Sequence, residues 1–140
     1  MSHTIKKTLV VAFYNHPEGV KQSVKKMKKC GVEIKKLSVA GKGYHPCSSL
    51  FMIPGLGPIA VSGPLVAAIL REFEGEIYFK GLNALRGGLC SIGIPEHSLF
   101  KYENALKNGM CLVFARGGAN EINEMKSVFA SSKAIEIAMH

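Results

Sequence analysis

The chain contains no aspartate and no tryptophan, and none of its four cysteines is spaced as CxxC. Without aspartate, paired-carboxylate chemistry would rest on glutamates, most of which sit at helix-surface positions. The missing CxxC spacing excludes zinc-ribbon and dithiol redox patterns. No GxGxxG follows a strand and no GKS or GKT occurs, so phosphate-loop signatures are absent. Gly55-Leu56-Gly57-Pro58 and Arg86-Gly87-Gly88 therefore read as tight turns and close-packing positions, and Pro58 lacks the N–H that a phosphate cradle would use. From Pro46 to Leu70 there is no charged residue. That length suits a membrane span. Pro54, Pro58 and Pro64, with Gly55, Gly57 and Gly63, interrupt it, and lipid offers no partner for the freed backbone groups. A spanning helix is rejected; an interfacial or oligomer-buried segment is expected instead. Met1 to Lys7 has no apolar stretch and the apolar run that follows is short, so no secretory signal is expected. Cys30, Cys47, Cys90 and Cys111 are then expected to be reduced thiols of a cytoplasmic protein.

What is present fits one domain: 140 residues, 47% of them hydrophobic, with a net charge of +8. The charge is uneven. Residues 1–50 hold ten lysines against Glu18 and Glu33, which leaves +8, whereas eight basic and eight acidic groups cancel in residues 51–140. A basic surface of this kind attracts phosphates, nucleic acid or anionic lipid; as a bare charge run it is a solvated helix face.

Periodicity divides the chain into elements. Thr8–Tyr14 is a β-branched and aromatic run that reads as a buried strand. Asn15 is placed to cap a helix whose first turn holds Pro17 and Glu18. Val20, Val24 and Met27 form its apolar stripe, and Gly31 suits the left-handed residue beyond its end. Ile34–Ala40 reads as a second strand with a bulge or late start at Lys35-Lys36. Residues 41–49 read as loop and 51–63 as an extended Pro/Gly segment. A short helix opens at Pro64 with Leu65, Ala68 and Ile69 inward. Gly81–Ile92 carries leucines at helical spacing, and its three glycines require close packing against another backbone. A helix from Pro95-Glu96 carries Leu99, Tyr102 and Leu106 and ends at Gly109. Met110–Ala115 is a strand, Ala119–Phe129 a helix with Ile122, Met125 and Phe129, and Ile135–Met139 a closing strand.

The order β-α-β at residues 8–40 and again at 110–139 predicts an α+β fold, a ferredoxin-like split βαβ sandwich. The helical, Pro/Gly-rich insertion at 41–109 must cover a sheet edge or the open face; otherwise a partner chain does. A doubly wound α/β sheet is the alternative.

Local chemistry is sparse. His45 and Cys47 have ligand chemistry for zinc or copper, but two further ligands are needed, and nothing in the spacing selects them from His16, Cys90 and His97. Cys47, Cys90 or Cys111 paired with His45 or His97 would need a depressed thiol pKa and an orienting third group, and no local signature supplies one. Phe13, Tyr14 and Phe114 lie on strands as RNA-stacking aromatics do, but the surrounding runs are aliphatic, so a core role is expected for Phe13 and Phe114.

Several ordered motifs resemble the bacterial general stress protein family, which includes the YflT-like heat-induced stress proteins. They are Leu37-Ser38-Val39-Ala40-Gly41-Lys42-Gly43-Tyr44-His45, Ile53-Pro54-Gly55-Leu56-Gly57-Pro58, Ser62-Gly63-Pro64-Leu65-Val66-Ala67-Ala68, Gly93-Ile94-Pro95-Glu96-His97-Ser98 and Lys101-Tyr102-Glu103-Asn104-Ala105-Leu106-Lys107. The resemblance spans about residues 8–139. It implies a bacterial, stress-linked protein and brings no enzymatic activity or catalytic residues with it. Members commonly carry a long Gly-rich apolar segment between the GKGYH-like and IPGLGP-like motifs. Here Cys47, Ser48 and Ser49 run directly into Leu50-Phe51-Met52, which favours a soluble form.

The leading expectation is a non-enzymatic module without cofactor or metal that self-associates, with Ile53, Leu56, Ile59 and Leu65 at the interface of a homo-oligomer. The second is a weak polyanion or membrane-surface contact through Lys21, Lys25, Lys28 and Lys29. The third is small-molecule or metal binding near His45, with Lys42 and Tyr44.

Overall fold

The computed structural model describes residues 8–42, 48–73 and 81–140. Six strands form one antiparallel sheet: β1 (Thr8–Tyr14), β2 (Leu37–Gly41), β3 (Ser49–Ile53), β4 (Gly57–Ser62), β5 (Cys111–Gly117) and β6 (Glu136–Met139), in the order β3-β4-β2-β5-β1-β6. β5 lies antiparallel between β1 and β2, with Val11 opposite Phe114 and Ser38 opposite Phe114. β1 lies antiparallel between β5 and β6. Both β-α-β halves are thus split by a strand of the other half, as the ferredoxin-like arrangement requires. Helix α1 (Pro17–Lys29) joins β1 to β2, and α5 (Ala119–Ser131) joins β5 to β6. The insertion contributes the β3–β4 hairpin and α2 (Pro64–Phe73), α3 (Gly81–Ile92) and α4 (Leu99–Lys107).

Alternation along the strands separates two cores. Leu9, Val11, Phe13, Leu112 and Phe114 pack with Leu65 and Ile69 of α2, Leu85 and Leu89 of α3, and Leu99, Tyr102 and Leu106 of α4. Val10, Ala12, Tyr14, Val113 and Ala115 pack with Val20 and Met27 of α1 and Ile122, Met125 and Phe129 of α5. The inserted helices therefore cover the face that a bare split βαβ sandwich leaves open. Gly88 of α3 faces Ile69 of α2 so closely that a Cβ would lie 3.1 Å from the Ile69 amide nitrogen, the backbone approach that its glycines imply. Phe13 and Phe114 are buried in the core.

Four expectations need correction. The sheet has six strands, two more than the two β-α-β halves supply, because the Pro/Gly segment 51–63 takes part in a hairpin: Leu56 N–H closes the turn onto the Ile53 carbonyl at 3.0 Å, and Gly55 and Gly57 supply left-handed backbone there. Ile53, Leu56, Ile59 and Leu65 are not an exposed interface; each is buried within the chain, 2%, 7%, 0% and 0% exposed, because the inserted helices and the hairpin close over one another. The residue before α1 is His16 rather than Asn15, and it makes no capping side-chain hydrogen bond. The helix expected from Pro95 begins with a 3₁₀ turn, Glu96–Ser98, before α4. The late start expected of the second strand is present: β2 begins at Leu37, after a 3₁₀ turn at Ile34–Lys36.

Candidate functional site

Helices α1 and α5 are too few to cover a six-stranded sheet. They shield β6, β1, β5 and β2, and the flank formed by β4 and β3 on the same side extends past α1. Phe51 and Ile53 point into the core under α2–α4, so the alternate residues of β3 point to the α1 side. They are Leu50 and Met52, 60% and 69% exposed. Register places Leu50 beside Ala60, and Ser62 beside Val39 of β2.

Lys21, Lys25 and Lys28 each follow one member of the apolar stripe Val20, Val24 and Met27. They form a parallel row turned by roughly 100° around the helix. This row, with Glu18, Gln22 and Val24, makes one wall of a groove of about 490 Å³ whose floor includes Val39 and Ser62. Lys21, Lys25 and Lys28 have no carboxylate partner among the described residues. Lys26, by contrast, turns toward α5, where its Nζ donates to Ser131 Oγ at 3.1 Å. The groove thus holds three lysines against one glutamate, and the exposed Leu50 and Met52 lie on the same side of the sheet, on the strand beyond β4.

The other expected site residues fall elsewhere. Lys29 is exposed in the last turn of α1 and does not line the groove. Lys42 is exposed just beyond β2, and its Nζ donates to the Lys107 carbonyl at 3.0 Å, at the C-terminal end of α4. Tyr44 and His45, with Cys47, lie outside the described residues. Among the described residues, no three His, Cys or Glu side chains come together as a metal site. The thiols there are not activated: Glu124 holds the exposed Cys30 thiol up, burial chiefly raises Cys90, and burial raises Cys111. No helix of the described residues is long and apolar enough to cross a membrane.

A second polar cluster stands at the β1–β6 edge. Tyr102 is fully buried, stacked on Phe13 at 5.3 Å, and its hydroxyl lies 2.5 Å from His140 Nε2. Burial, and then Glu136, push the Tyr102 hydroxyl up, so it stays protonated and shares a hydrogen bond with His140 Nε2 whose direction follows the imidazole tautomer. Burial, and then His97 and Lys101, hold His140 below the usual imidazole range. Lys101 is itself paired with Glu136. A depressed folded-state pKa favours the neutral form. The unfolded chain therefore takes up a proton first as pH falls below about 6.5. Stability should decline from there and level off once the folded state also protonates. Urea midpoints at pH 7.5 and pH 5 are expected to show this loss, and His140→Gln, whose amide can donate to or accept from Tyr102, should remove this contribution. An unchanged pH difference in the variant would assign the loss to other groups.

The exposed pair Leu50 and Met52 was missed because residues 51–63 read as irregular; the alternation Leu50, Phe51, Met52, Ile53 becomes visible only once they form a strand. The chain matches no family model, no curated protein and no solved structure.

Proposed function

We propose that the protein is a binding module that docks on anionic lipid surfaces through the α1 lysine row and the β3–β4 flank, without catalysing a reaction. The observation that carries this reading is that Lys21, Lys25 and Lys28, without a carboxylate partner among the described residues, share one side of the sheet with the exposed apolar pair Leu50 and Met52. Cations beside exposed apolar side chains match the headgroup–acyl boundary of an anionic leaflet. A nucleic acid would gain from the lysines but leave Leu50 and Met52 in water. The motif likeness to general stress proteins is proposed alongside this reading. Self-association through Ile53, Leu56, Ile59 and Leu65 is set aside, since all four are core residues.

Co-sedimentation with phosphatidylserine-containing vesicles tests the proposal, with phosphatidylcholine vesicles and heparin beside them. Each lysine near such a surface contributes about 1 kcal/mol. The triple variant Lys21→Gln, Lys25→Gln, Lys28→Gln should therefore lose about a hundredfold in affinity. Leu50→Ser with Met52→Ser should weaken vesicle binding and leave heparin retention unchanged. Retention on heparin without vesicle binding would replace the lipid by a polyanion, and binding insensitive to all five substitutions would sink the reading.

A further inference from the structure

On the opposite face of the sheet, away from the lysine groove, lies a cavity of about 270 Å³ lined by Leu9, Lys35, Lys36, Ser38, Pro64, Ile92, Phe114 and Arg116. The register explains its floor. Leu9 sits directly across from Arg116, and Phe114 directly across from Ser38, so two neighbouring rows present an apolar body and a polar rim on one face. Leu9, Ile92 and Phe114 are buried and belong to the same core as α2 and α3.

The polar rim is only partly satisfied. Ser38, 4% exposed, accepts a hydrogen bond from the Leu65 amide at 3.1 Å. Its own hydroxyl hydrogen has no acceptor among the described residues, and buried donors in native proteins rarely stay that way. Of the three cations, Lys35 is held by Glu33 at 2.9 Å and Lys36 by Glu121 at 3.0 Å. Arg116 has no carboxylate partner among the described residues, so one positive charge at the rim is uncompensated. A guanidinium and a hydroxyl donor beside an apolar floor complement a carboxylate carried on a hydrocarbon body.

We propose that this cavity binds a small amphipathic monoanion, an aliphatic or aromatic carboxylate. The carboxylate lies toward the Ser38 hydroxyl and Arg116, and the apolar body rests on Leu9, Ile92 and Phe114. This site is separate from the lipid-docking groove and stands or falls independently of it.

Octanoate, octan-1-ol and inorganic phosphate, titrated separately into isotope-labelled full-length protein and followed by amide chemical shifts, test the proposal. Octanoate should saturate, with shifts centred on Leu9, Ser38, Ile92, Phe114 and Arg116, and bind at least tenfold tighter than octan-1-ol. Arg116→Gln, an exposed position that leaves the fold intact, should erase that tenfold advantage and leave octan-1-ol binding unchanged. Ile92→Phe, which fills the floor, should weaken both. Equal binding of octanoate and octan-1-ol, phosphate binding as tight as octanoate, or shifts centred on Lys21–Lys28 would each overturn the assignment.

Discussion

Gly63→Ala is expected to destabilise the protein by about 3 kcal/mol or more, lowering Tm by about 10 °C. Gly63 has φ +83 and turns the chain from β4 into α2 directly over β2. An added methyl would overlap the Leu37 carbonyl oxygen and stand 2.9 Å from Ser38 Cα. Neither backbone is free to yield, because Val39 pairs with Ser62 on one side and Val113 on the other. Gly55 is the matched control. Its φ is +85, but no heavy atom lies within 4 Å of an added Cβ. Gly55→Ala should therefore cost only the left-handed backbone, about 1–2 kcal/mol. Thermal and urea unfolding of the two variants separate the contributions. Equal losses would mean that the close passage of Gly63 over Leu37 and Ser38 is not there.

Leu85→Ala carries the second large effect, about 2–5 kcal/mol. Leu85 is fully buried near the middle of α3, in the core shared with β1 and β5. Truncation leaves a cavity between the inserted helices and the sheet, and its cost depends on how far that layer can collapse. Leu70 of α2 is 47% exposed, so Leu70→Ala should stay within about 0.5 kcal/mol. If Leu85→Ala were as mild as Leu70→Ala by urea unfolding, the α2–α4 layer would not be seated on the sheet.

The terminal halves were legible because their signals are local. Thr8–Tyr14 is a continuous short apolar run, and Val20, Val24, Met27 and Ile122, Met125, Phe129 each follow the helical period; the elements form where those signals run. The middle was harder to read. Proline and glycine between Pro54 and Pro58 resemble loop, yet they build a three-residue turn, with Gly57 opening β4 and Pro58 second in it. An apolar segment without charge also looks the same whether a partner chain or its own helices cover it. That ambiguity made Ile53, Leu56, Ile59 and Leu65 look like an interface. Arg116 is not singled out by the sequence because Met110–Ala115 reads as the whole strand; β5 continues to Gly117, which places Arg116 in the same cavity lining as Phe114.

By itself, the amino-acid order determined the β-α-β succession at each end of the chain, the lysine row of α1 and the excess of positive charge in the first fifty residues, because side-chain period and formal charge are properties of neighbours along the chain. Only the tertiary structure decided that the two halves interleave in one sheet, that the insertion roofs it, that Leu50 and Met52 stay outside while Ile53 and Ile59 go in, and that Ser38 and Arg116 line one cavity with Leu9. Those outcomes depend on strand order and register across more than seventy residues of sequence, and a one-residue change of register would exchange the two faces.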